Sequence, residues 1–386
     1  MSAAGNLREQ YDYIIAGTGL AGCSLLVRMM QEPFFRSKKI LAIDQSGKTG
    51  NDHTWCFWEK QPGIFEPVVY HQWNNARFAS EKWDRLFSLA PYEYKMIRAS
   101  DLYAFVKNLA AQHDNIDWHF EKIVSVENKC DSVTVHLQAV SVRAQYVFSS
   151  IRFEEFSVPD GKYFFWQHFR GWMIRSFQPS FDATVATLMD FSISQQNGAG
   201  FMYVLPVSAR EALVEYTLFS TQPLSTEAYE NELRKYISSK LNIHFYEIMH
   251  REHGMIPMTN MDFALQEGNV INIGMAGGQV KPSSGYAFQF IQKRTAGIVS
   301  SLAAGGKPFM QRSLREKKFR WYDSVMLNVM HHQAMPVPRI FERLFCANKP
   351  GRLLKFLDEE TSLLQDISIM RSLPAQTFLQ AAWRNL

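Results

Sequence analysis

The sequence has few of the features that mark metalloproteins, disulfide-bonded proteins or nucleic-acid-binding proteins. Its four cysteines are scattered, without metal-ligand spacing or a disulfide pattern: Cys23, Cys56, Cys130 and Cys346. We therefore expect reduced thiols, a cytosol-facing protein and no metal site. The net charge is only +4 and no block of lysine and arginine occurs, so we expect no nucleic-acid partner.

Long apolar runs are also missing. No stretch approaches the roughly 18 apolar residues of a membrane span, and the polar start MSAAGNLREQ predicts no signal peptide. Aromatic residues are abundant instead, with 29 Phe and 9 Trp among 386 residues. This excess fits an aromatic-rich core, or alternatively a large apolar cavity or a membrane-facing patch.

A strand, a glycine-rich turn and a helix follow one another near the start of the chain. An apolar run over residues 13–16 leads into a G-x-G-x-x-G turn and a helix start made by Gly17, Gly19, Leu20, Ala21 and Gly22. Such glycines permit the tight turn, the approach of a pyrophosphate and close helix packing. The next strand, KKILAIDQ, ends in Asp44, which can accept hydrogen bonds from a ribose. A plain turn would explain the glycines alone, but the whole order predicts a Rossmann-type dinucleotide-binding unit.

A second glycine-rich segment, NVINIGMAGGQVKPSSGYAFQF, indicates which dinucleotide is bound. Flavoproteins of the hydroxylase type place a strand, a glycine turn and a Pro-x-x-Gly helix start at this late position, with the helix N-terminus facing the flavin. We therefore expect FAD, and the candidate residues here are Gly274, Ala276, Gly277, Pro282 and Gly285. Met275 stands where that pattern usually has Asp, which leaves more of the binding to backbone groups. An ordinary glycine-rich loop is the alternative.

The middle of the chain predicts an antiparallel sheet. Alternating β-like runs, separated by turn signals such as Asn197-Gly198, cover residues 163–174, 183–193, 200–206 and 211–220. We expect a helical segment over 222–250 and a mostly helical one over 308–386.

These elements predict an α/β fold class with a discontinuous cofactor domain. A Rossmann-type FAD-binding domain would take residues 1–150 and 251–307. An antiparallel sheet for the substrate, over 151–250, would be inserted into it, and a helical C-terminal region, over 308–386, would follow with a possible membrane contact.

Two carboxylates lie within the predicted strands. Period two puts Asp190 on the face of Leu188, and Glu215 on the face of Leu213 and Phe219. Burying an unpaired carboxylate costs several kcal/mol, so such a group tends to keep its proton. A neutral acid in an apolar pocket is what acid catalysis on a hydrocarbon needs. A solvated sheet face or a salt bridge to arginine is the alternative.

Five segments together resemble the lycopene cyclase family, close to the forms of carotenoid-making bacteria. They are HTWCFWE (53–59), YKMIRASDLY (94–103), FMYVLPVSAREALVEYTLFS (201–220), HGMIPM (253–258) and GMAGGQVKPSSGYAFQF (274–290). The HTW segment and the LPVS…LVEYT block are the most specific of them. The resemblance implies a flavoprotein that cyclises the ends of lycopene to give β-carotene. It also implies that FAD works in its reduced form, that NAD(P)H supplies the reduction and that the net reaction is an isomerisation.

The resemblance also assigns residues. The family carries its catalytic acid in a Glu-x-Thr or Glu-Glu-Thr strand motif, which Glu215-Tyr216-Thr217 matches, with Tyr216 in place of the usual second acid. We name Glu215 as the acid and Asp190 as a second acid or base. The string FLDEETS (356–362) copies the plant motif, and we interpret it as a structural or chance match.

Four residues are assigned to the substrate end and the cofactor. His53 and Trp55 are expected near the substrate together with Tyr216, and Arg98 near the pyrophosphate. The alternatives are a hydrogen-bonded structural histidine and an exposed helix arginine.

We expect lycopene as a small-molecule lipid substrate, and a cytoplasmic protein held peripherally at the inner face of the cell membrane. Cyclisation of one or both ends and formation of β or ε rings are all compatible with the sequence. Two other classes stay open. One is a flavin-dependent monooxygenase, desaturase or reductase acting on an isoprenoid. The other is a non-catalytic flavoprotein that carries or senses isoprenoids.

Overall fold

The computed structural model describes residues 7–129, 131–308 and 311–385 of the chain. Most of the polar segment 1–10, and the thiol of Cys130, lie outside the described residues. The other three cysteines, Cys23, Cys56 and Cys346, carry free thiols.

Strands dominate the first two thirds of the chain and helices the last third. The strands are β1 (Gln10–Ala16), β2 (Ile40–Asp44), β3 (Thr54–Glu59), β4 (His71–Trp73), β5 (Asn75–Ala79), β6 (Asp84–Ser88), β7 (Glu93–Arg98), β8 (Ile116–Phe120), β9 (Ile123–Asn128), β10 (Val133–Leu137), β11 (Ser141–Ser149), β12 (Phe164–Ser176), β13 (Val185–Asp190), β14 (Ala199–Pro206), β15 (Glu211–Ser220), β16 (Tyr246–Thr259), β17 (Gln266–Glu267) and β18 (Val270–Asn272). The helices are α1 (Leu20–Gln31), α2 (Ala99–Ala110), α3 (Thr226–Ser239), α4 (Phe288–Gly305), α5 (Leu314–His331), α6 (Val337–Ala347), α7 (Pro350–Leu357), α8 (Leu363–Met370) and α9 (Ala375–Trp383).

The first sheet is largely parallel and forms the Rossmann-type unit. Its strands lie in the order β17-β18-β11-β1-β2-β8, with β9 and β10 as an antiparallel extension beside β11. β1 is buried on both faces, which explains its nearly continuous apolar sequence. The turn after β1 requires glycine, because Gly17 has a φ of +92° and a Cβ at Gly22 would collide with the carbonyl oxygen of Gly17. The predicted α/β class is confirmed.

The second sheet has seven strands in the order β16-β12-β15-β14-β13-β5-β6. Its neighbours pair antiparallel except β13 and β5, which pair in parallel. One face packs on an aromatic-rich core that includes helices of the C-terminal region, and the other face is covered by α3. Alternate residues of each strand therefore belong to two different environments. A third, smaller sheet has the antiparallel order β3-β7-β4 and adjoins the glycine turn.

The helix predicted over 222–250 is shorter than expected. α3 ends at Ser239, and Tyr246–Thr259 form the 14-residue strand β16. Along the first eleven residues of this strand, at the edge of the sheet, exposed positions alternate with positions that are partly buried or, at Glu252, buried. Their Glu, Met, His and Arg side chains hide the β pattern in the sequence. The second sheet thus takes strands from beyond both ends of the range 151–250.

The predicted common face of Leu188 and Asp190 is wrong. The pairing of β13 with β14 shifts register between Thr187 and Asp190, because the strand contains a bulge. Leu188 and Met189 both pack on the aromatic-rich face, whereas the hydroxyl of Tyr236 in α3 donates to Asp190 at 2.7 Å on the other face. The bulge therefore turns the carboxylate of Asp190 away from the face that Glu215 occupies.

The region after residue 310 is helical as predicted, with five helices among the described residues. They pack against the aromatic-rich face of the second sheet and against one another. Within the described residues, the helices are too short or too polar to cross a bilayer.

Candidate functional site

A cavity of about 370 Å³ lies where the three sheets and the late glycine loop meet. The turn after β1 contributes Gly19, Leu20 and Ala21, and the loop before α4 contributes Gly274, Met275 and Gly285. The aromatic-rich face of the second sheet closes the opposite side. The two glycine-rich segments, more than 250 residues apart in the chain, thus line one space.

The geometry of this cavity fits a dinucleotide at its glycine end. A Cβ placed on Gly19 would meet no atom within 4 Å, so this residue faces open space. Neither α1 nor α4 has a side chain that caps its N-terminus, and both helices begin at the cavity wall. Free N–H groups and the positive end of the helix dipole favour an anion such as a phosphate at such a position.

One polar group of the cavity wall lacks a hydrogen-bond partner among the described residues. The side-chain Oε1 of Gln167, on β12, is buried and accepts no hydrogen bond from the described residues. A Cβ on Gly285 would collide with this same oxygen, so glycine is needed for the loop to approach the sheet. A polar ring system bound between the late loop and β12 could satisfy such a group.

Asp44 holds the glycine turn itself. Its carboxylate accepts hydrogen bonds from the backbone N–H of Thr18 at 2.8 Å, the hydroxyl of Thr18 at 3.1 Å and the backbone N–H of Ser46 at 3.2 Å. The side chain lies at the end of β2, as expected. Because three of its lone pairs are engaged, contact with a ribose remains a prediction.

The late loop divides between two cavities. Gly274 and Gly285 face the central cavity, while Gly277 and Pro282 line a neighbouring polar one, with Ala276 in the turn between them. Backbone conformation explains the glycines that face the centre, because Gly274 has a φ of +61° and Gly285 a φ of +71°.

Two carboxyl groups, Glu215 and Glu252, meet on the wall opposite the glycine turn. In β12, Gly171 lies directly opposite Glu215 of β15 on one side and Glu252 of β16 on the other. The three residues share one face of the sheet, and the missing side chain of Gly171 leaves room between the acids. A Cβ there would lie 3.1 Å from Cγ and 3.3 Å from Oε1 of Glu252.

Burial raises the pKa of both carboxyl groups. For Glu215, desolvation is the main cause, the charge of Glu252 adds to it, and a hydrogen bond of 2.7 Å from the hydroxyl of Thr217 opposes it. For Glu252, desolvation again raises the pKa, against a hydrogen bond of 2.7 Å from the hydroxyl of Thr54. Glu215 is partly accessible because its side chain faces the cavity. On its other sides it is surrounded by protein. The arrangement favours a neutral carboxylic acid at Glu215.

The surroundings of this pair are aromatic and uncharged. Tyr94, Tyr203 and Tyr286 line the cavity beside it, and the hydroxyls of Tyr203 and Tyr286 lie 3.5 Å apart. Burial raises the pKa of each of these phenols and also that of the Cys56 thiol, so all of them stay neutral. Such a wall can surround an apolar substrate without offering it a strong nucleophile.

His53 and Trp55 lie at the edge of the cavity, and their contact with a substrate remains a prediction. Their rings stack with centroids 6.0 Å apart and an angle of 9°. Nδ1 of His53 lies 3.3 Å from the carboxylate of Asp52, and about half of the imidazole is exposed. Trp55 also packs edge-on against Tyr103.

Two other predicted site residues are not brought to the cavity. Tyr216 follows Glu215 in the strand, so its ring points to the opposite face, where it packs against Tyr229 of α3. Arg98 precedes α2, where its guanidinium pairs with Asp101 at 2.6 Å and stacks on Tyr70 at 3.9 Å from the ring centroid. These positions correct the expectations of a substrate contact for Tyr216 and a pyrophosphate contact for Arg98.

The FLDEETS string covers the last two residues of α7 and the link to α8, and its acidic side chains pair with neighbouring residues. Asp358 accepts a hydrogen bond from the indole of Trp58 at 2.7 Å, Glu359 pairs with Lys281 at 3.2 Å, and Glu360 pairs with Lys293 at 3.0 Å. These contacts show a structural role for the three acids, which agrees with our interpretation of the string as a structural or chance match.

Glu252 is a candidate site residue that the sequence patterns above do not single out. It lies one position before the HGMIPM segment, in the stretch read partly as helix. A period-two reading of residues 246–256 would have placed Glu252 with Gly254 and Ile256, and all three line the cavity.

The fold is shared with solved flavoprotein structures. A flavoprotein/dehydrogenase from Cytophaga hutchinsonii superimposes with a TM-score of 0.68 at 10% identity, covering 97% of this chain and 99% of that one.

Residues 12–383 match the family model described as Lycopene cyclase protein, so the chain belongs to this family. A lycopene beta-cyclase of Pantoea ananas is 24% identical over 296 residues, which cover 73% of this chain and 72% of the relative. A lycopene beta-cyclase of Pseudescherichia vulneris is 24% identical over 322 residues, covering 80% and 79%.

Proposed function

We propose that the protein is a lycopene β-cyclase that closes the ψ end groups of lycopene into β rings, giving γ-carotene and β-carotene. Family membership and the two curated relatives support the substrate class. The observation that carries the proposal is the position of Glu215, a carboxyl group whose pKa is raised by burial at the apolar end of a cavity whose other end suits a dinucleotide.

The proposed reaction begins and ends with a proton. Glu215 protonates the terminal C=C bond and leaves a tertiary carbocation. The neighbouring double bond attacks this cation and closes a six-membered ring, and the carboxylate left on Glu215 takes up a ring proton to give the β end. One proton enters and one leaves, so the reaction is a redox-neutral isomerisation.

The chain must stabilise the cation while keeping water away from it. The faces of Tyr94, Tyr203 and Trp55 can stabilise positive charge through their π systems. Because their hydroxyl and indole groups are weak nucleophiles, they do not capture the cation. Exclusion of water from this wall prevents a hydroxylated product.

We propose FAD as the cofactor, active in its reduced form, with NAD(P)H as the reductant. The glycine turn from Gly17 to Gly22 and the N-terminus of α1 would hold its phosphates. The late loop at Gly274 and Gly285, together with Gln167, would hold its ring system. When bound, the reduced flavin supplies electron density near the developing cation.

We further propose that the protein lies peripherally on the cytoplasmic face of the membrane through its last two helices. α8 and α9 expose five large apolar side chains, Leu363, Leu364, Ile367, Leu379 and Trp383. The exposed Arg371 and Arg384 follow these helices and suit anionic headgroups. Ile367 and Leu379 also line an apolar cavity of about 450 Å³ that reaches Ser283 beside the late loop. This cavity offers a lipid-soluble substrate a path from the membrane.

The test is expression in a lycopene-accumulating bacterial host, followed by pigment analysis. We expect γ-carotene and β-carotene, whose masses equal that of lycopene. A product with added oxygen or changed hydrogen content would instead support the redox enzyme. Carotenoid that copurifies unchanged would support the non-catalytic carrier.

A further inference from the structure

The second carboxyl group on the cavity wall, Glu252, has surroundings that tie it to Glu215. β12 lies between the strands of the two acids, so their backbones are separated by two strand spacings, about 10 Å. The Cγ and Oε1 of Glu252 approach Gly171 closely enough that a Cβ there would have to displace them. The side chain therefore extends over the glycine, toward Glu215.

No cation in the described part of the chain balances the two acids. Among the described residues, no Lys, Arg or His side chain forms an ion pair with either carboxyl group. The hydrogen bonds that they receive come from hydroxyls, Thr217 for Glu215 and Thr54 for Glu252. Two buried carboxylates without a counterion repel each other, so such a pair holds one proton between them.

The other groups that face the pair do not change this balance. Cys56 and the four tyrosines that line the cavity, Tyr94, Tyr103, Tyr203 and Tyr286, are neutral, because burial raises the pKa of each. The cationic or titratable groups that remain are Lys48 and His53, which lie at the rim of the cavity next to Asp52. Glu252 is therefore the charged neighbour that raises the pKa of Glu215, in addition to the effect of burial.

We propose that Glu252 is a positioning residue whose carboxylate, held by Thr54 and extended over Gly171, keeps the reacting proton on Glu215. This proposal rests on the function proposed above. Glu252 acts through the charge it carries, and Gly171 is the residue that allows the two side chains to approach. The pair carries a single negative charge before the reaction.

The test compares the pH dependence of kcat/KM in the wild type and in Glu252→Gln. Removing the charge of Glu252 lowers the pKa of Glu215, so Glu215 loses its proton at a lower pH. We expect the alkaline limb of the profile to move down by about one pH unit, with an activity loss of about tenfold on that limb and a much smaller loss below it. Glu247→Gln, the same change at an exposed position of β16, should leave the profile in place.

A merely structural role for Glu252 would lower activity equally at every pH, and that result would overturn the proposal. Glu252→Asp keeps the charge, so its profile should stay close to that of the wild type even if its rate falls. A displacement of Glu252→Asp as large as that of Glu252→Gln would also overturn it.

Infrared spectroscopy separates this proposal from the proposed function. The C=O stretching band of a protonated carboxyl group can be followed against pH without turnover. We expect a band that persists above neutral pH in the wild type, is lost in Glu215→Gln and disappears about one pH unit lower in Glu252→Gln. If the protein does not cyclise lycopene but the band shifts in this way, the proposed function is wrong, and the role proposed for Glu252 toward Glu215 is still supported. If it does cyclise lycopene and neither band nor profile shifts, the coupled pair fails.

Discussion

Tyr236 of α3 donates its hydroxyl to the buried carboxylate of Asp190 at 2.7 Å, on the face of the second sheet opposite Glu215. Asp190 also accepts a hydrogen bond of 2.8 Å from the backbone N–H of Ser192. The bond from Tyr236 attaches α3 to the sheet, and the bond from Ser192 fixes the chain after β13. Asp190 and Glu215 both lie in apolar strands, but their surroundings differ. We therefore expect substitutions of the two acids to have different effects.

Asp190→Asn should lower stability more than catalysis. Asparagine can still accept the hydrogen bond from Tyr236 but without the charge, so we expect a loss of about 1 kcal/mol in the free energy of unfolding. Urea unfolding measures this loss, and the cyclisation rate should change by less than a few-fold. A loss of activity comparable to that of a Glu215 variant, in folded protein, would return Asp190 to the reaction.

Glu215→Gln should abolish cyclisation while leaving the fold and FAD binding intact. Glutamine preserves the size and much of the hydrogen bonding but has no proton to donate, and loss of a positioned acid costs about 10²–10⁴-fold in rate. Pigment analysis and kinetics with purified enzyme measure the effect. Glu360→Gln is the matched control. Glu360 belongs to the FLDEETS string and forms a partly exposed ion pair with Lys293 of α4. If Glu360→Gln stopped turnover and Glu215→Gln did not, the acid would lie in that string.

The parts of the site that could be predicted from the sequence depend on local patterns. The spacing of Gly17, Gly19 and Gly22 predicts a single turn, and the alternation of side chains around Glu215 predicts a single strand. The same alternation places Tyr216 on the opposite face of the strand from Glu215. A substrate contact for both residues was therefore inconsistent with the strand pattern itself.

The parts that could not be predicted depend on contacts between distant strands. Glu252 and Glu215 become neighbours only through the register of both strands against Gly171, which no local pattern encodes. The bulge that turns Asp190 away arises from pairing with β14 and leaves no mark in the alternation of β13 itself.

Gly19→Val should abolish FAD binding without unfolding the protein. The space beside Gly19 is empty of protein atoms, so the valine side chain can be accommodated but occupies the place of the proposed pyrophosphate. Flavin absorbance after reconstitution measures binding, and circular dichroism checks the fold. Gly305→Val, at an exposed position near the end of α4 that also has open space beside it, should bind FAD normally. Wild-type protein that remained flavin-free after reconstitution would contradict the proposed cofactor.

Turnover should require reduced flavin but no stoichiometric nicotinamide. Ring closure takes up one proton and releases one, so no electrons are consumed. Enzyme reduced with dithionite under anaerobic conditions should cyclise lycopene in the absence of NAD(P)H, and oxidised enzyme should not. Oxidation of one NADPH for each ring formed would contradict a redox-neutral reaction and favour the monooxygenase or reductase.

Charged substitutions on α8 and α9 should release the protein from membranes. Leu364 and Trp383 are 81% and 76% exposed. Large apolar side chains exposed together in this way are typical of a surface that contacts a membrane or another protein. The double variant Leu364→Glu, Trp383→Glu should therefore bind vesicles of phosphatidylglycerol and phosphatidylethanolamine at least tenfold more weakly, as measured by flotation. Phe245→Glu is the matched control, because Phe245 is 78% exposed but precedes β16, in a different part of the fold. Activity on lycopene dissolved in detergent should survive in both variants, since neither change reaches the cavity. Equal release by the Phe245 variant would show that general hydrophobicity, and not the surface of α8 and α9, holds the protein at the membrane.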